Sequence, residues 1–291
     1  MAAWFIFTSM KILLPFFITL FLFSCGEDHL PPAADSFQKN ASQWLPDTSK
    51  MRLLKIIEGG WVNEEYMQSL RKYQSPMTAA LSGLPVQQIA FDISQLEGDT
   101  LVNALGRIGY NEDQRFDVVF SRKSDGTIVM QINERKNYVT EPILLHYAFE
   151  GKDTILLLTL SQPGNSKTIR FRREFRKFPQ VDRVFYTAME HFVNKELVAG
   201  QWKSNGKTVL FDATGSVKNF GGYTRYSITT DERYPDSRPD EISFYSDTSG
   251  VTFAFTLRKN HLDLYELHDS DDGLEFSRGK LLYSMEKVNA D

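Results

Sequence analysis

The ten residues AGQWKSNGKT, Ala199 to Thr208, admit two readings that lead to different folds. The tail, Gly206-Lys207-Thr208, is how a phosphate-binding loop ends. The front, Gly200-x-Trp202, repeats a pattern met earlier in IIEGGWVNEE, where Gly59-x-Trp61 follows an apolar run. A phosphate loop needs Gly, four residues and then Gly-Lys-Thr, after a strand and at the start of a helix whose amides hold the phosphates. Here the upstream glycine, Gly200, stands one position too far away, and TVLFDA follows with the pattern of a strand. Asn205-Gly206 between two strand patterns predicts a two-residue hairpin of type I′, whose positive φ angles suit these residue types. The nucleotide reading is set aside, and Gly-x-Trp becomes the informative part.

Outward from the two Trp residues, one order of elements occurs twice. Before Trp61, TSKMRLLKII reads as an amphipathic helix, with Thr48 or Ser49 as its cap and Gly59-Gly60 at its end. A second helix is predicted over Glu64–Tyr73 from the spacing of Tyr66, Met67 and Leu70. Period-two patterns follow, from VQQIAFDIS to TIRFRREFRKF. A helix is then predicted from Val181, Val184, Phe185, Ala188, Met189 and Phe192, ending before Gly200. Strands resume after Trp202 and run to LEFSRGKLLYSME. The clearest is VTFAFTLR, with Val251, Phe253, Phe255 and Leu257 inward and Thr252, Ala254, Thr256 and Arg258 outward. The expected domains are 48–178 and 179–291, two copies of one β-rich unit.

Composition agrees with a folded, β-rich chain. In 291 residues, 42% are hydrophobic and 24% charged, while 22 Phe and 12 Tyr enrich the large flat side chains that sheets favour. A net charge of −4 argues against a nucleic-acid partner, which calls for a concentrated basic footprint. The richest basic run, IRFRREFRKF (Ile169–Phe178), alternates Arg with Phe, as a strand with one solvated face would.

The N-terminus points to export. Lys11, the apolar run Ile12–Phe23, then Ser24 and the only cysteine, Cys25, describe a secretory signal. The run contains Pro15 and is shorter than the roughly 20 residues of a spanning helix. LFSC resembles the lipobox of bacterial lipoproteins, in which the cysteine becomes the lipidated first residue of the mature chain. Phe23 departs from the small residue usual at its position. The resemblance implies a signal peptide over 1–24, a lipid anchor (palmitate among its acyl chains) at Cys25, and a location on the outer membrane of the cell envelope, facing the periplasm or the surface. Met10 is a second candidate start. Residues 25–47, polar and proline-bearing, suit a flexible tether. No second cysteine exists, so the exported body has no internal disulfide.

The fold class expected from residues alone is all-β with short helices. A helix, Gly-x-Trp on the first strand, about eight strands and a late Arg together resemble the lipocalin (calycin-type) pattern, implying two tandem antiparallel β-barrels, each preceded by a short helix. In that family the Trp closes the barrel floor and the late Arg stacks over it. The resemblance implies these structural places for Trp61 with Arg173 or its neighbour Arg172, and for Trp202 with Arg278. The family's Thr-Asp-Tyr signature has no counterpart, since TTDERY (Thr229–Tyr234) comes too early in the second half. An open β-sandwich is the alternative fold.

Sites for chemistry were sought by type and spacing. DSDDGLE (Asp269–Glu275) has acids at the first and third positions of a calcium loop, but Lys280 stands where the bidentate Glu belongs, so a hairpin tip is expected. The histidines His29, His146, His191, His261 and His268 show no metal-ligand spacing, and no G-x-S-x-G elbow occurs. No catalytic residue, metal or cofactor is assigned, and the expectation is a non-enzyme. Tyr110, Tyr147, Tyr223, Tyr226 and Tyr265 could present hydroxyls to an apolar cavity. The leading functional expectation is an anchored protein that binds a small hydrophobic ligand or lipid. The alternative is a structural or protein-interaction module whose barrels are filled by their own side chains.

Overall fold

The computed structural model describes residues 47–288 except 81–85, 98–99, 109–112, 123–127, 135–142, 163–164, 178–186, 231–237 and 270–275. The expected signal segment, Cys25 and the tether to residue 46 lie outside the described residues, as do His29 and Tyr110. The described residues belong to one compact unit, Ser42–Asp291.

In chain order the first half runs α1 (Asp47–Ile57), β1 (Gly59–Asn63), α2 (Glu64–Tyr73), α3 (Pro76–Ala80) and β2 (Val86–Phe91). A 3-10 turn at Ile93–Gln95 leads into β3 (Leu96–Glu97), β4 (Thr100–Ile108), β5 (Asp113–Arg122) and β6 (Ile128–Glu134). Then come β7 (Ile143–Glu150), β8 (Asp153–Gln162) and β9 (Asn165–Phe175). The second half opens with α4 (Ala188–Leu197), followed by β10 (Gly200–Ser204), β11 (Lys207–Phe211), β12 (Ser216–Phe220) and β13 (Tyr223–Ile228). It ends with β14 (Glu241–Tyr245), β15 (Gly250–Arg258), β16 (His261–Asp269) and β17 (Phe276–Lys287).

The strands β10 to β17 form a closed antiparallel barrel of eight strands. The first sheet has the order β2-β1-β9-β8-β7-β6-β5-β4-β3, with a further antiparallel pairing between β2 and β4. The opening stretch folds as its Asn-Gly demands: Asn205 and Gly206 sit at φ 48° and 76° between β10 and β11.

Local chemistry sets the helices. Asn63 caps α2 by accepting from the Glu65 N–H at 2.8 Å; Glu64 and Glu65 occupy its first turn, Arg71 and Lys72 its last. The helix expected from Val181 starts instead at Ala188. Thr187 and Glu190 form a capping box there, each side chain accepting from the other's N–H at 3.1 Å. Val181, Val184 and Phe185 lie outside the described residues.

Two apolar cores result. One lies under α1 and along the inner face of the first sheet, where Leu53, Leu54 and Ile57 meet Trp61, Leu145, Leu158 and Phe171. The other fills the barrel and continues beneath it through α4 into α2 and α3 of the first half, joining Phe192 and Leu197 to Tyr66, Leu70 and Ala80. Polar contacts fasten the same join. Gln88 of β2 accepts from the Met189 N–H at 3.1 Å, and Arg71 forks onto Glu196 with two bonds of 3.0 Å. Asp240 accepts from the Met77 N–H and the Ser75 hydroxyl at 3.0 Å each. Beside that contact, Ala254 is wholly buried despite its outward position, because its register partner Glu241 is buried there too. Among the described residues no helix is long and apolar enough to cross a membrane.

Candidate functional site

Trp61 and Trp202 occupy matching places. Each follows a glycine at positive φ, Gly59 at 116° and Gly200 at 129°. A Cβ on Gly59 would lie 2.1 Å from the Phe175 carbonyl, so the entry into β1 tolerates no side chain. Both indoles are fully buried, and each donates its Nε1–H at 2.7 Å to the carbonyl four residues back, Ile57 or Val198. Each faces a cation directly across from it on the last strand of its half. Arg173 of β9 is the register partner of Trp61, with its guanidinium 4.4 Å from the ring. Lys287 of β17 is the register partner of Trp202, its Nζ 5.4 Å from the ring. Arg278 is therefore not the cation over Trp202. It lies earlier on β17, opposite Leu267, and its guanidinium sits 5.9 Å from the Tyr265 ring.

The interiors are where the sequence placed a ligand. In the barrel, Trp202, Tyr226, Phe244, Phe255, Leu262 and Leu264 keep 0% of their surface accessible. Side chains lining a hollow would retain surface facing the void. Phe220 and Phe244 meet tilted with ring centres 4.6 Å apart, Phe211 and Tyr226 edge to face at 5.1 Å, and Phe253 meets the exposed Tyr283 at 5.8 Å. The Tyr226 hydroxyl donates to the Asp212 carbonyl at 2.8 Å, not into a cavity. Tyr223 and Tyr265 are half-buried, and Tyr147 is at the surface against Phe149. The inner face of the first sheet is equally close: Val118, Leu145, Leu156, Leu158 and Phe171 are all at 0%. One side chain there does not fit that picture. Gln87, 2% exposed and set at the bulge where β2 meets β4, has neither its Nε2 nor its Oε1 hydrogen-bonded.

The basic run of β9 divides by face. Ile169 and Phe171 are buried, while Arg170 and Arg172 point outward and share Glu64 of α2 and Glu150 of β7. Burial pushes the Glu64 carboxyl up, but the hydrogen bonds from the two guanidinium groups outweigh it and hold it below its ordinary value. At the Trp61 end, Lys152, Asp153, Thr154, Arg172, Arg173 and Arg176 line a cleft of about 350 Å³. Arg173 donates to the Ile56 carbonyl, and its buried Nε has no partner. Burial, and then the nearby Arg176 charge, push the Arg173 guanidinium below its ordinary value, against an opposing pull from Glu58.

The histidines are dispersed. His191 Nδ1 lies 2.6 Å from Glu174, which also accepts from Lys195. His146 is half-buried on β7, and His261 and His268 are exposed at the two ends of β16. Among the described residues no group of three or more His, Cys, Asp or Glu is placed to hold a metal ion. The tip at Asp269–Glu275 lies outside them after Asp269.

Of the residues singled out from sequence, the fold brings Trp61 and Arg173 together and separates Trp202 from Arg278. Lys287, Lys152, Arg176 and Gln87 were missed, and each owes its place to long-range register. Compared with family models, curated proteins and solved structures, the chain matches none.

Proposed function

We propose that this chain is a cell-envelope lipoprotein, anchored through Cys25, whose folded body carries two lipocalin-like barrels filled by their own side chains. It works through its surface, as a non-enzymatic structural or interaction module. The observation that carries this reading is the packing of the described interior: among the described residues, buried aromatic and aliphatic side chains meet where a ligand would have to sit. A second barrel in the first half is supported by the β2–β4 pairing, which gives every strand of the sheet except β3 at least two neighbours. The repeated Trp, carbonyl and facing cation support common construction of the halves. The non-enzymatic part is supported by where the carboxylates go: Glu64, Glu150 and Glu174 serve ion pairs, and Asp240 serves a helix start.

A second reading, binding of a small ligand inside the first half, is favoured by Gln87 alone. A buried amide with no partner is costly, and a ligand's polar group could satisfy it. This reading requires a small molecule that leaves the protein only on denaturation.

The anchor is tested by fractionation. Cys25→Ala should shift the protein from the membrane to the soluble fraction; unchanged membrane association contradicts the lipoprotein reading.

A further inference from the structure

We propose that the cleft at the Trp61 end of the first sheet binds a phosphate-type oxyanion, held by Arg173, Arg176 and Lys152 with the Thr154 hydroxyl. The cleft of about 350 Å³ reaches the low end of small-molecule sites, so it admits a phosphate carried on a larger ligand. Its lining has four cations and a single acid, Asp153.

The cations differ in how their charge is already answered. Arg172 is paired with Glu64 and Glu150 and brings no free charge. Arg173 contacts the Trp61 face and the Ile56 carbonyl and is in no ion pair, the Glu58 charge acting on it only weakly against burial and Arg176, and its Nε is buried without a partner. Lys152 and Arg176 are exposed and form no ion pair among the described residues. The like charges of Arg173 and Arg176 work against each other, and an oxyanion between them would turn that repulsion into attraction on both sides.

The elements hold these groups in place. Thr154 follows the β7–β8 turn that presents Lys152 and Asp153. It is the register neighbour of Phe149 on one side, and Arg173 lies across from it on β9, between Thr154 and Trp61. The indole under Arg173 fixes the guanidinium plane, so its outer donors are pre-set and lose little freedom on binding. A planar guanidinium backed by an aromatic ring and flanked by two exposed cations suits the tetrahedral oxygens of phosphate.

Phosphate of this kind could come from a soluble phosphate ester or from the headgroup of an anionic phospholipid, and two probes distinguish them. Inorganic phosphate is titrated calorimetrically into the chain carrying Cys25→Ala, which has no acyl anchor to insert into lipid, and binding is measured in parallel to vesicles of phosphatidylglycerol and of phosphatidylcholine, every variant below being made in that background. The protein variants are wild type, Arg176→Ala, Lys152→Ala, and Arg258→Ala as a control on the second barrel. The two cleft side chains are exposed, so their removal leaves the fold intact, which circular dichroism checks. Saturable phosphate binding that falls about tenfold in Arg176→Ala and Lys152→Ala, but not in Arg258→Ala, supports the site with a soluble source. Binding to phosphatidylglycerol vesicles alone, with the same loss in the two cleft variants, supports it with a headgroup source. No binding to either probe, or binding equally strong in the cleft variants, overturns the proposal.

Discussion

At the scale of single residues, the two Trp–cation contacts show what spacing can and cannot reveal. Gly-x-Trp was legible because a glycine at positive φ and a fully buried indole are local demands. The partner of Trp202 was not legible, because it is fixed by how β17 meets β10 on closure. Register shifts in the β16–β17 ladder, near Leu264 and Tyr265, leave Arg278 against Tyr265 and carry Lys287 to Trp202. Lys287→Ala should therefore cost about 1 kcal/mol, from the lost cation–ring contact. Arg278→Ala should cost about 0.5 kcal/mol or less, as an exposed change away from Trp202. Chemical denaturation of both variants checks the order. Asp240 gives a second prediction. Burial pushes its carboxyl above the ordinary value of 3.8, although the Met77 N–H and the Ser75 hydroxyl pull it down. Between that value and the raised one, the native state holds more protons than the unfolded state, so this group's contribution to stability falls as pH rises through the window. Asp240→Asn keeps an acceptor for Met77 and Ser75 and removes the charge. Thermal midpoints measured across the acid range should show the variant gaining on wild type as pH rises through that window, with a midpoint at neutral pH no lower than wild type.

At the scale of elements, alternation read the strands well and periodicity placed α2 at Glu64–Tyr73, because its apolar side faces a core. VTFAFTLR folds as β15 with Phe253 and Phe255 buried, and departs from expectation only at Ala254, which is buried beside its register partner Glu241. The start of α4 was missed in spite of a legible signal. Thr187-x-x-Glu190 is a capping box, but the apolar residues upstream prolong the helical spacing and masked it. Thr187→Ala leaves helix donors without their acceptor and should destabilise the protein by about 1 kcal/mol. Thr187→Ser, which keeps the hydroxyl, should stay near wild type in the same denaturation series. Outward on β9, the four-residue network of Glu64, Glu150, Arg170 and Arg172 ties α2 to the sheet. Sequence showed only that these arginines alternate with apolar residues; Glu64 reaches them because α2 leaves β1 along that face.

At the scale of the molecule, the order of helix, Gly-x-Trp and strands could be read twice along the chain, but the join between the halves could not. The second core runs through α4 into α2 and α3, so first-half helices complete the packing under the second-half barrel. Such contacts depend on which outward faces meet, and no local pattern encodes them. The filling of the interiors was likewise open in the sequence, since Phe and Tyr can either line a cavity or occupy it. Ring contacts at 4.6 Å and 5.1 Å, and side chains with no accessible surface, favour occupation. Native mass spectrometry of the protein purified without added lipid or detergent-exchange ligands tests this most directly. The account predicts the mass of the mature chain with its anchor and nothing else. A stoichiometric small molecule that remains through native ionisation and is released on denaturation would contradict it.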